Sequence, residues 1–272
     1  MESVDRLPRY EKPPLVEVAI SIVFSEVPGL NEAHIGAFWW TLRSSFPKVI
    51  TQPAVPAPAE SFSNSPWFPP QLQFGLSNQP AIRVQMISDD DQWLCQLQRD
   101  RIVINWRKGE QDYPRFEQAL NKLLRVWEQW LNHVQELGFE RPKPTISELI
   151  YVNVLPQGVV WHQLNELDLL LPRLVRSEQQ VMENLPFAGF RSEFAWRDPE
   201  KKSTISVDLR PIKTDEVLAM LLNLSVRSQI DSNSASELKM SFEYGNLLIR
   251  NYFESVISDE ARVAWEVKYA AS

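Results

Sequence analysis

The chain contains few of the residues on which common catalytic and metal chemistries depend. It has one cysteine, three histidines and eight glycines in 272 residues. A single cysteine excludes an intrachain disulfide and a cysteine-cluster metal site. His34, His133 and His162 lack the spacing of metal ligands, and no phosphate-binding glycine loop or nucleophile elbow occurs. The sequence therefore predicts a protein that is not an enzyme and that uses no metal and no cofactor.

Long apolar runs are also missing. No segment is long and apolar enough to cross a bilayer, and residues 1–14 are polar, without the apolar centre of a signal peptide. The lone thiol of Cys95 stands in a predicted strand, where we expect it to be buried and inert, and a free thiol fits a reducing compartment. These features predict a cytoplasmic protein with no membrane partner.

Tryptophan and proline are abundant instead, with 10 and 20 residues respectively. The tryptophans indicate either a heavily aromatic core or surfaces that use indoles as binding anchors. Residues 47–80 hold many of the prolines and are predicted to be a long loop with little regular structure. Phe62, Trp67 and Phe68 in this loop would dock onto the protein itself or onto a partner, and Trp67 is a candidate contact residue.

The clearest pattern in the chain is a hairpin from Trp93 to Arg107 with a tight turn at Arg99–Asp100. Around it, alternation of apolar residues predicts strands at Leu15–Phe24 and Ala81–Ile87. Apolar residues at helical spacing predict a helix after Asn31 and another from Phe116 to Leu137. Gly138 ends the second helix.

A second series of elements follows the boundary at Arg141–Pro144. Strands are predicted at Glu148–Leu155, Phe190–Trp196, Ser203–Leu209 and Val217–Val226, and helices at 164–182, Ser236–Ile257 and Asp259–Glu266. The sequence therefore predicts an α+β protein with two similar halves, 1–140 and 145–272, each with the order strand, helix, three strands, helix. The halves form either two units or one continuous curved antiparallel sheet with helices on one face. This element order resembles that of the saddle-shaped TATA-binding proteins and indicates an internal duplication.

One face of the first sheet carries the polar residues of greatest functional interest. Strand alternation can place Arg83, Gln85, Arg101, Asn105 and Arg107 together. Arginine forks suit the recognition of carboxylate or phosphate groups. Alternatively, Glu17 and the turn at Asp89–Asp91 neutralise these arginines as ordinary cross-strand pairs. A similar mixed set in the second half is most simply a paired or solvated face: Arg191, Glu193, Arg197, Asp208 and Arg210.

Two sequence signatures resemble those of a sporadically distributed, uncharacterised bacterial family. The first is Y-x-x-P-P-L-x-E-V, from Tyr10 to Val18, and the second is L-Q-x-D-R-x-x-x-N-W-R, from Leu97 to Arg107, which Tyr113–Pro114 follows. Members of that family have about this length, so the resemblance spans nearly the whole chain. Their patchy distribution is similar to that of genes on mobile elements, including defence and toxin–antitoxin loci.

The end of the chain carries a further part of this resemblance. Family members often close with a helix that bears a histidine, followed by a phenylalanine, an acidic pair and a tryptophan. Phe253, Asp259–Glu260 and Trp265 match this pattern. The chain has Tyr244–Gly245–Asn246 where the histidine is expected, so no role of that histidine transfers to this protein.

Three hypotheses of function follow. The first is a non-enzymatic binding protein, a complex subunit that binds another protein or a second copy of itself, in a locus of the phage-defence or toxin–antitoxin type. The second is recognition of nucleic acid or a nucleotide by Arg83, Arg101, Asn105 and Arg107, which requires a local basic patch because the net charge is -7. The third is an enzyme of unrecognised type whose acidic residues meet only on folding.

Overall fold

A computed structural model describes residues 7–56, 62, 82–110, 113–175, 189–214 and 217–269. The protein is a mixed α+β structure built on an antiparallel sheet. Its strands are β1 (Arg9–Tyr10), β2 (Leu15–Phe24), β3 (Lys48–Pro53), β4 (Ile82–Ile87), β5 (Trp93–Gln98), β6 (Arg101–Arg107), β7 (Pro144–Pro156), β8 (Ser192–Asp198), β9 (Ser203–Thr214), β10 (Val217–Gln229) and β11 (Val267–Lys268). Its helices are α1 (Glu32–Leu42), α2 (Phe116–Glu136), α3 (Ala235–Val256) and α4 (Asp259–Ala264), with a 3-10 helix at Leu164–Leu169.

Nine strands form one sheet in the order β3-β4-β5-β6-β2-β7-β10-β9-β8, and every neighbouring pair is antiparallel. The first strand of each half therefore lies at the centre, where β2 pairs with β7. Both halves contribute to a single hydrophobic core between this sheet and the helices. No helix in the described part of the chain is long and apolar enough to cross a membrane.

Side-chain alternation in the strands determines which sheet face is covered. Val18, Ile20 and Ile22 of β2 are fully buried on the face where the helices pack, as the alternation from Leu15 to Phe24 predicts. On the same face the ring of Phe24 lies 5.2 Å from that of Trp127 in α2. The opposite face, which no described helix covers, is called the open face below.

The core accounts for much of the aromatic content. Among the described residues, five tryptophans are buried: Trp106, Trp127, Trp130, Trp161 and Trp265. Trp130 packs edge-on against Phe38, with ring centroids 5.1 Å apart, and this contact joins α1 to α2. Two other described tryptophans are exposed: Trp40 keeps 59% and Trp196 keeps 47% of its accessible surface.

The two ends of the described chain meet in a small aromatic cluster. β1 pairs antiparallel with β11, and the Tyr10 ring packs edge-on against Phe253 and Trp265 at 6.0 and 6.1 Å. The Tyr10 hydroxyl donates to Glu254 Oε1 at 2.6 Å, and Arg262 bonds the same carboxylate. Tyr10, Phe253 and Trp265 therefore belong to one structural cluster.

Several predicted element boundaries were wrong. Lys48–Pro53 is an edge strand, not part of a loop, because it pairs with β4 along its whole length. A helix over 164–182 was also wrong: a 3-10 helix ends at Leu169, turns follow as far as Leu174, and residues 176–188 lie outside the described chain. Pro144 belongs to β7, so that strand begins inside the predicted boundary segment.

Helix α3 approaches the sheet closely at Gly245. A Cβ atom at this position would stand 3.3 Å from Val226 Cγ1 of β10, which is tighter than ordinary packing. Glycine is therefore the residue that lets α3 lie against the second half of the sheet.

We expect Gly245→Leu to lower the free energy of unfolding by about 1 to 3 kcal/mol, because the side chain overpacks this contact. Gly36→Ala in α1 is the comparison, since a Cβ there meets nothing within 4 Å and alanine favours the helix by about 1 kcal/mol. Chemical denaturation measures both variants. A Gly245→Leu protein as stable as the parent contradicts the close approach.

Candidate functional site

The strand register places five predicted polar residues on the open face. Arg83 and Gln85 come from β4, and Arg101, Asn105 and Arg107 come from β6. In the described strands this face holds more arginines than carboxylates, six against four, although the whole chain has a net charge of -7. The arginines are Arg83, Arg101, Arg107, Arg197, Arg210 and Arg227, and the carboxylates are Glu17, Glu148, Glu193 and Asp208.

A chain of side-chain hydrogen bonds crosses four strands of this face. Gln85 donates to Gln96 at 3.0 Å, Gln96 donates to Asn105 at 2.6 Å, and Asn105 donates to Glu17 at 2.5 Å. Asn105 is buried, and its side-chain amide both accepts and donates a hydrogen bond inside the sheet. These contacts give Asn105 a role in joining β5, β6 and β2.

The centre of the open face is built around the carboxylate of Glu148 in β7. This residue keeps only 3% of its accessible surface. Arg227 Nε donates to its Oε1 at 2.6 Å, Ser21 Oγ donates to its Oε2 at 3.0 Å, and Arg101 Nη1 lies 3.6 Å from the same Oε2. Burial alone raises the pKa of this carboxyl group, but Arg227 and Arg101 outweigh burial and hold the pKa below its ordinary value. Glu148 is therefore a buried anion between two arginines.

Arg101 also contacts the chain that follows β3. Its Nη2 donates to the carbonyl oxygen of Pro56 at 3.4 Å. The side chain of Gln98 accepts from the backbone N–H of Val55 at 3.1 Å and donates to the carbonyl of Val55 at 2.8 Å. The segment after β3 therefore crosses the open face beside Arg101.

The second half of the open face is largely self-paired. Arg191 bonds Glu193 and lies 3.2 Å from Asp208, and Arg210 Nε lies 3.5 Å from Asp208. Ser206 and Ser225 share a hydrogen bond of 2.6 Å between neighbouring strands. This arrangement agrees with the prediction of a paired face in this half.

The predicted neutralisation of the first-half arginines takes a different form in the structure. Glu17 stands opposite Arg107 in the register, but the acidic turn does not reach the arginines: Asp91 pairs with Lys48 and Asp90 accepts from Ser88. The main counter-charge is Glu148, which the sequence reasoning missed together with Arg227. The sequence signal that could have revealed this role is the single carboxylate, Glu148, among the apolar residues of β7.

Two further predicted site residues remain. Arg107 is exposed, and Trp67 lies outside the described residues.

The Cys95 thiol and the His34 and His133 rings stand in surroundings that favour a structural role over a catalytic one. Burial raises the pKa of the Cys95 thiol to about 12, so the thiolate needed for nucleophilic chemistry does not form near neutral pH. His34 Nδ1 accepts from the backbone N–H of Asn31 at the start of α1, and His133 Nε2 lies 3.3 Å from the His34 carbonyl oxygen. Across the described ranges, no three His, Cys, Asp or Glu side chains lie together in a way that suits a metal ion.

Comparisons with known proteins give no family assignment. No protein-family model matches the chain, and no curated protein matches it. The resemblance to the uncharacterised bacterial family is therefore a hypothesis that depends on the two signatures and the closing residues.

We expect Glu148→Gln to lower the free energy of unfolding by about 3 to 5 kcal/mol, because two arginines with only 11% and 16% of their side chains exposed lose their buried counter-charge. Glu128→Gln is the matched control. Glu128 pairs with Arg141 at 3.3 Å on the solvent side, with more than half of its side chain exposed, and such pairs contribute little. Equal stability of the two variants in urea denaturation contradicts the assigned role.

The same carboxylate predicts a dependence of stability on pH. The pKa of Glu148 is lower in the folded protein than its ordinary value of 4.5, so its stabilisation is complete above that value and is lost as the pH falls through the folded pKa. The difference in unfolding free energy between the parent and Glu148→Gln should be large near neutral pH and shrink in acid. Denaturation curves across that range measure it, and a difference that does not change with pH contradicts the ionised state.

Proposed function

We propose that this is a non-enzymatic binding protein that works as a subunit of a complex with another protein or with a second copy of itself. The observation that carries the proposal is edge strand β3. All six residues of Lys48–Pro53 are exposed, and one side of the strand has no neighbour among the described strands. An open edge offers its backbone N–H and C=O groups to a strand of a partner.

The side chains of β3 fit this mode of binding. Val49 and Ile50 keep 38% and 45% of their accessible surface. In the register Val49 stands opposite Met86 and Ile50 opposite Gln85, so the two apolar side chains point to different faces of the sheet. A strand added at this edge would cover both. Exposed apolar side chains on a free edge are uncommon in proteins that remain alone.

The opposite edge of the sheet supports the same proposal. Trp196 of edge strand β8 is exposed and packs against Tyr252 of α3 with ring centroids 5.1 Å apart. Its ring also stacks on Phe194 at 6.0 Å. Aromatic side chains held at an edge in this way are common anchors of protein interfaces.

The proposal also covers how the protein arose, where in the cell it works and in which type of gene locus it is encoded. The order β2-β6-β5-β4 on one side matches the order β7-β10-β9-β8 on the other and supports an internal duplication of the type seen in TATA-binding proteins, although β3 has no counterpart among the described strands of the second half. The buried free thiol supports a cytoplasmic location. The family resemblance supports a gene in a defence or toxin–antitoxin type of locus.

A second candidate function is recognition of nucleic acid or a nucleotide by the open face. The excess of arginines on this face favours it, because the rest of an acidic protein would repel a polyanion. Arg83, Arg101 and Arg107 are the residues expected to make the contacts.

The edge-strand proposal is tested with Val49→Lys/Ile50→Lys. Charges at both positions should block strand addition and weaken a complex at least about tenfold, while the fold is retained because both side chains are already exposed. Tagged protein purified from its native host is assayed for stoichiometric partners, and light scattering after gel filtration measures self-association.

Val159→Lys is the control for this experiment. Val159 is equally exposed, at 51%, but lies in the turn after β7, away from both edges. If the β3 substitutions weaken the complex no more than Val159→Lys does, edge strand β3 is not the binding site. A parent protein that is monomeric and without a partner at every concentration rules out the proposal as a whole.

A further inference from the structure

Strand β8 (Ser192–Asp198) is the second edge of the nine-stranded sheet. It pairs with β9 on one side and has no neighbour on the other side among the described strands. The strand contains no proline, and its register with β9 is continuous over all seven residues. A continuous edge strand of this kind can pair with one further antiparallel strand.

The sequence of β8 is complementary to itself in the antiparallel direction. When two copies of the strand pair with Ala195 opposite Ala195, Glu193 of each copy stands opposite Arg197 of the other. In the same alignment Phe194 stands opposite Trp196. Opposite charges and aromatic rings are among the cross-strand pairs that stabilise antiparallel sheets. Each pair occurs twice, because a two-fold axis relates the copies.

The two kinds of pair lie on different faces of the sheet. Glu193 and Arg197 belong to the open face. Phe194 and Trp196 belong to the face that the helices cover, where the Trp196 ring contacts Tyr252 of α3. Residues that stand opposite each other in an antiparallel pair point to the same face, so the ion pairs and the aromatic pairs can form together.

The side chains concerned can take a further neighbour. Trp196 keeps 47% of its accessible surface although Tyr252 and Phe194 contact its ring. Phe194 of a second copy would cover part of this surface. Glu193 bonds Arg191 of its own chain, but a carboxylate has acceptor sites for a second guanidinium group.

Other self-pairings of β8 lack these contacts. Since opposite residues share a face, two identical strands can pair only with a residue at the two-fold axis. With Phe194 at the axis, Arg191 stands opposite Arg197, so like charges meet. With Trp196 at the axis, Arg197 stands opposite Ala195 and has no carboxylate across from it. The sequence therefore favours the register centred on Ala195.

We propose that two copies of this protein join antiparallel through β8, with Ala195 at the two-fold axis. The inference rests on the proposed function, and it assigns the second copy to β8 and another protein to β3. The two sheets become continuous, and one β3 edge remains at each end. A single pair of strands buries less surface than most permanent dimers bury, so we expect a reversible, concentration-dependent dimer.

Charge reversal tests the pairing. Glu193→Arg should weaken self-association at least about tenfold, because arginines then stand opposite each other in both pairs. Arg197→Glu should have the same effect, with glutamates in place of arginines. A mixture of these two variants should associate again, since every arginine then meets a glutamate of the other chain. Glu193→Arg/Arg197→Glu should self-associate for the same reason. Sedimentation velocity over a range of protein concentrations measures all four samples.

Recovery in the mixture is the decisive result, because a folding defect in one variant is not repaired by a defect in the other. A mixture that stays monomeric overturns the β8 pairing. So does a parent that is monomeric at every concentration, although a host protein that then binds through β3 leaves the proposed function intact. Parent assemblies that grow beyond a dimer indicate β8 pairing with β3 of the next copy and overturn the closed pair.

Ala195→Cys tests the register. Opposite Cα atoms in an antiparallel pair are about 4.5 to 5.5 Å apart, which a disulfide can bridge, and the native Cys95 is buried. Mild oxidation should therefore give a covalent dimer. Ser206→Cys is the matched control: Ser206 stands opposite Ala195 on β9, so its two copies would lie about 14 Å apart. Equal cross-linking of the two variants overturns the register.

Val49→Lys/Ile50→Lys separates this inference from the proposed function. These substitutions lie on β3 and should leave the β8 dimer unchanged while they weaken a complex with another protein. If they abolish self-association and Glu193→Arg does not, the second copy binds at β3, and only the β8 pairing is overturned.

Discussion

Glu148 is a buried carboxylate whose partners come from both halves of the protein, and this ion cluster constrains the rest of the sheet. Ser21 and Arg101 belong to the first half, while Arg227 belongs to the second. A buried anion is tolerated only with its counter-charges in place. A shift of one residue between β2 and β7 would turn Glu148 into the apolar core. The cluster therefore selects one register at the centre of the sheet and, through it, the alignment of the two halves.

The sequence predicted the elements whose signal is local. The helix from Phe116 and the strand from Leu15 were predicted because each carries an uninterrupted apolar period and clear ends. Strand β3 was missed because its side chains are exposed on both faces, so no alternation marks it, and only pairing with β4 makes it a strand. Glu148 was missed for a related reason. Its role depends on Arg101 and Arg227, which are distant in sequence, and no local pattern reports such a contact. The common face of Arg83 and Arg101 was predictable from alternation alone.

The two surfaces singled out above differ in their physical character. Edge strand β3 combines exposed apolar side chains with backbone groups that no further described strand pairs, so the proposed binding there would come from hydrogen bonds and burial, which salt changes little. The open face combines arginines with amide side chains and is sensitive to ionic strength. The two surfaces adjoin, because the chain after β3 crosses the open face at Val55 and Pro56. The segment at Val55 and Pro56 therefore connects the two surfaces within three residues of the end of β3.

The pairing of β1 with β11 has a consequence for the order in which the protein is made. Tyr10 and Arg262, which meet in the terminal cluster, are 252 residues apart in sequence. During translation β1 is synthesised before the strands of the central sheet, and its partner β11 is synthesised after all of them. β1 has no partner strand until β11 has been synthesised, so the central sheet can form before the β1–β11 pair. Closure of this cluster is therefore a late folding event, and until β11 has been synthesised β1 remains an unpaired strand whose backbone is open to proteolysis.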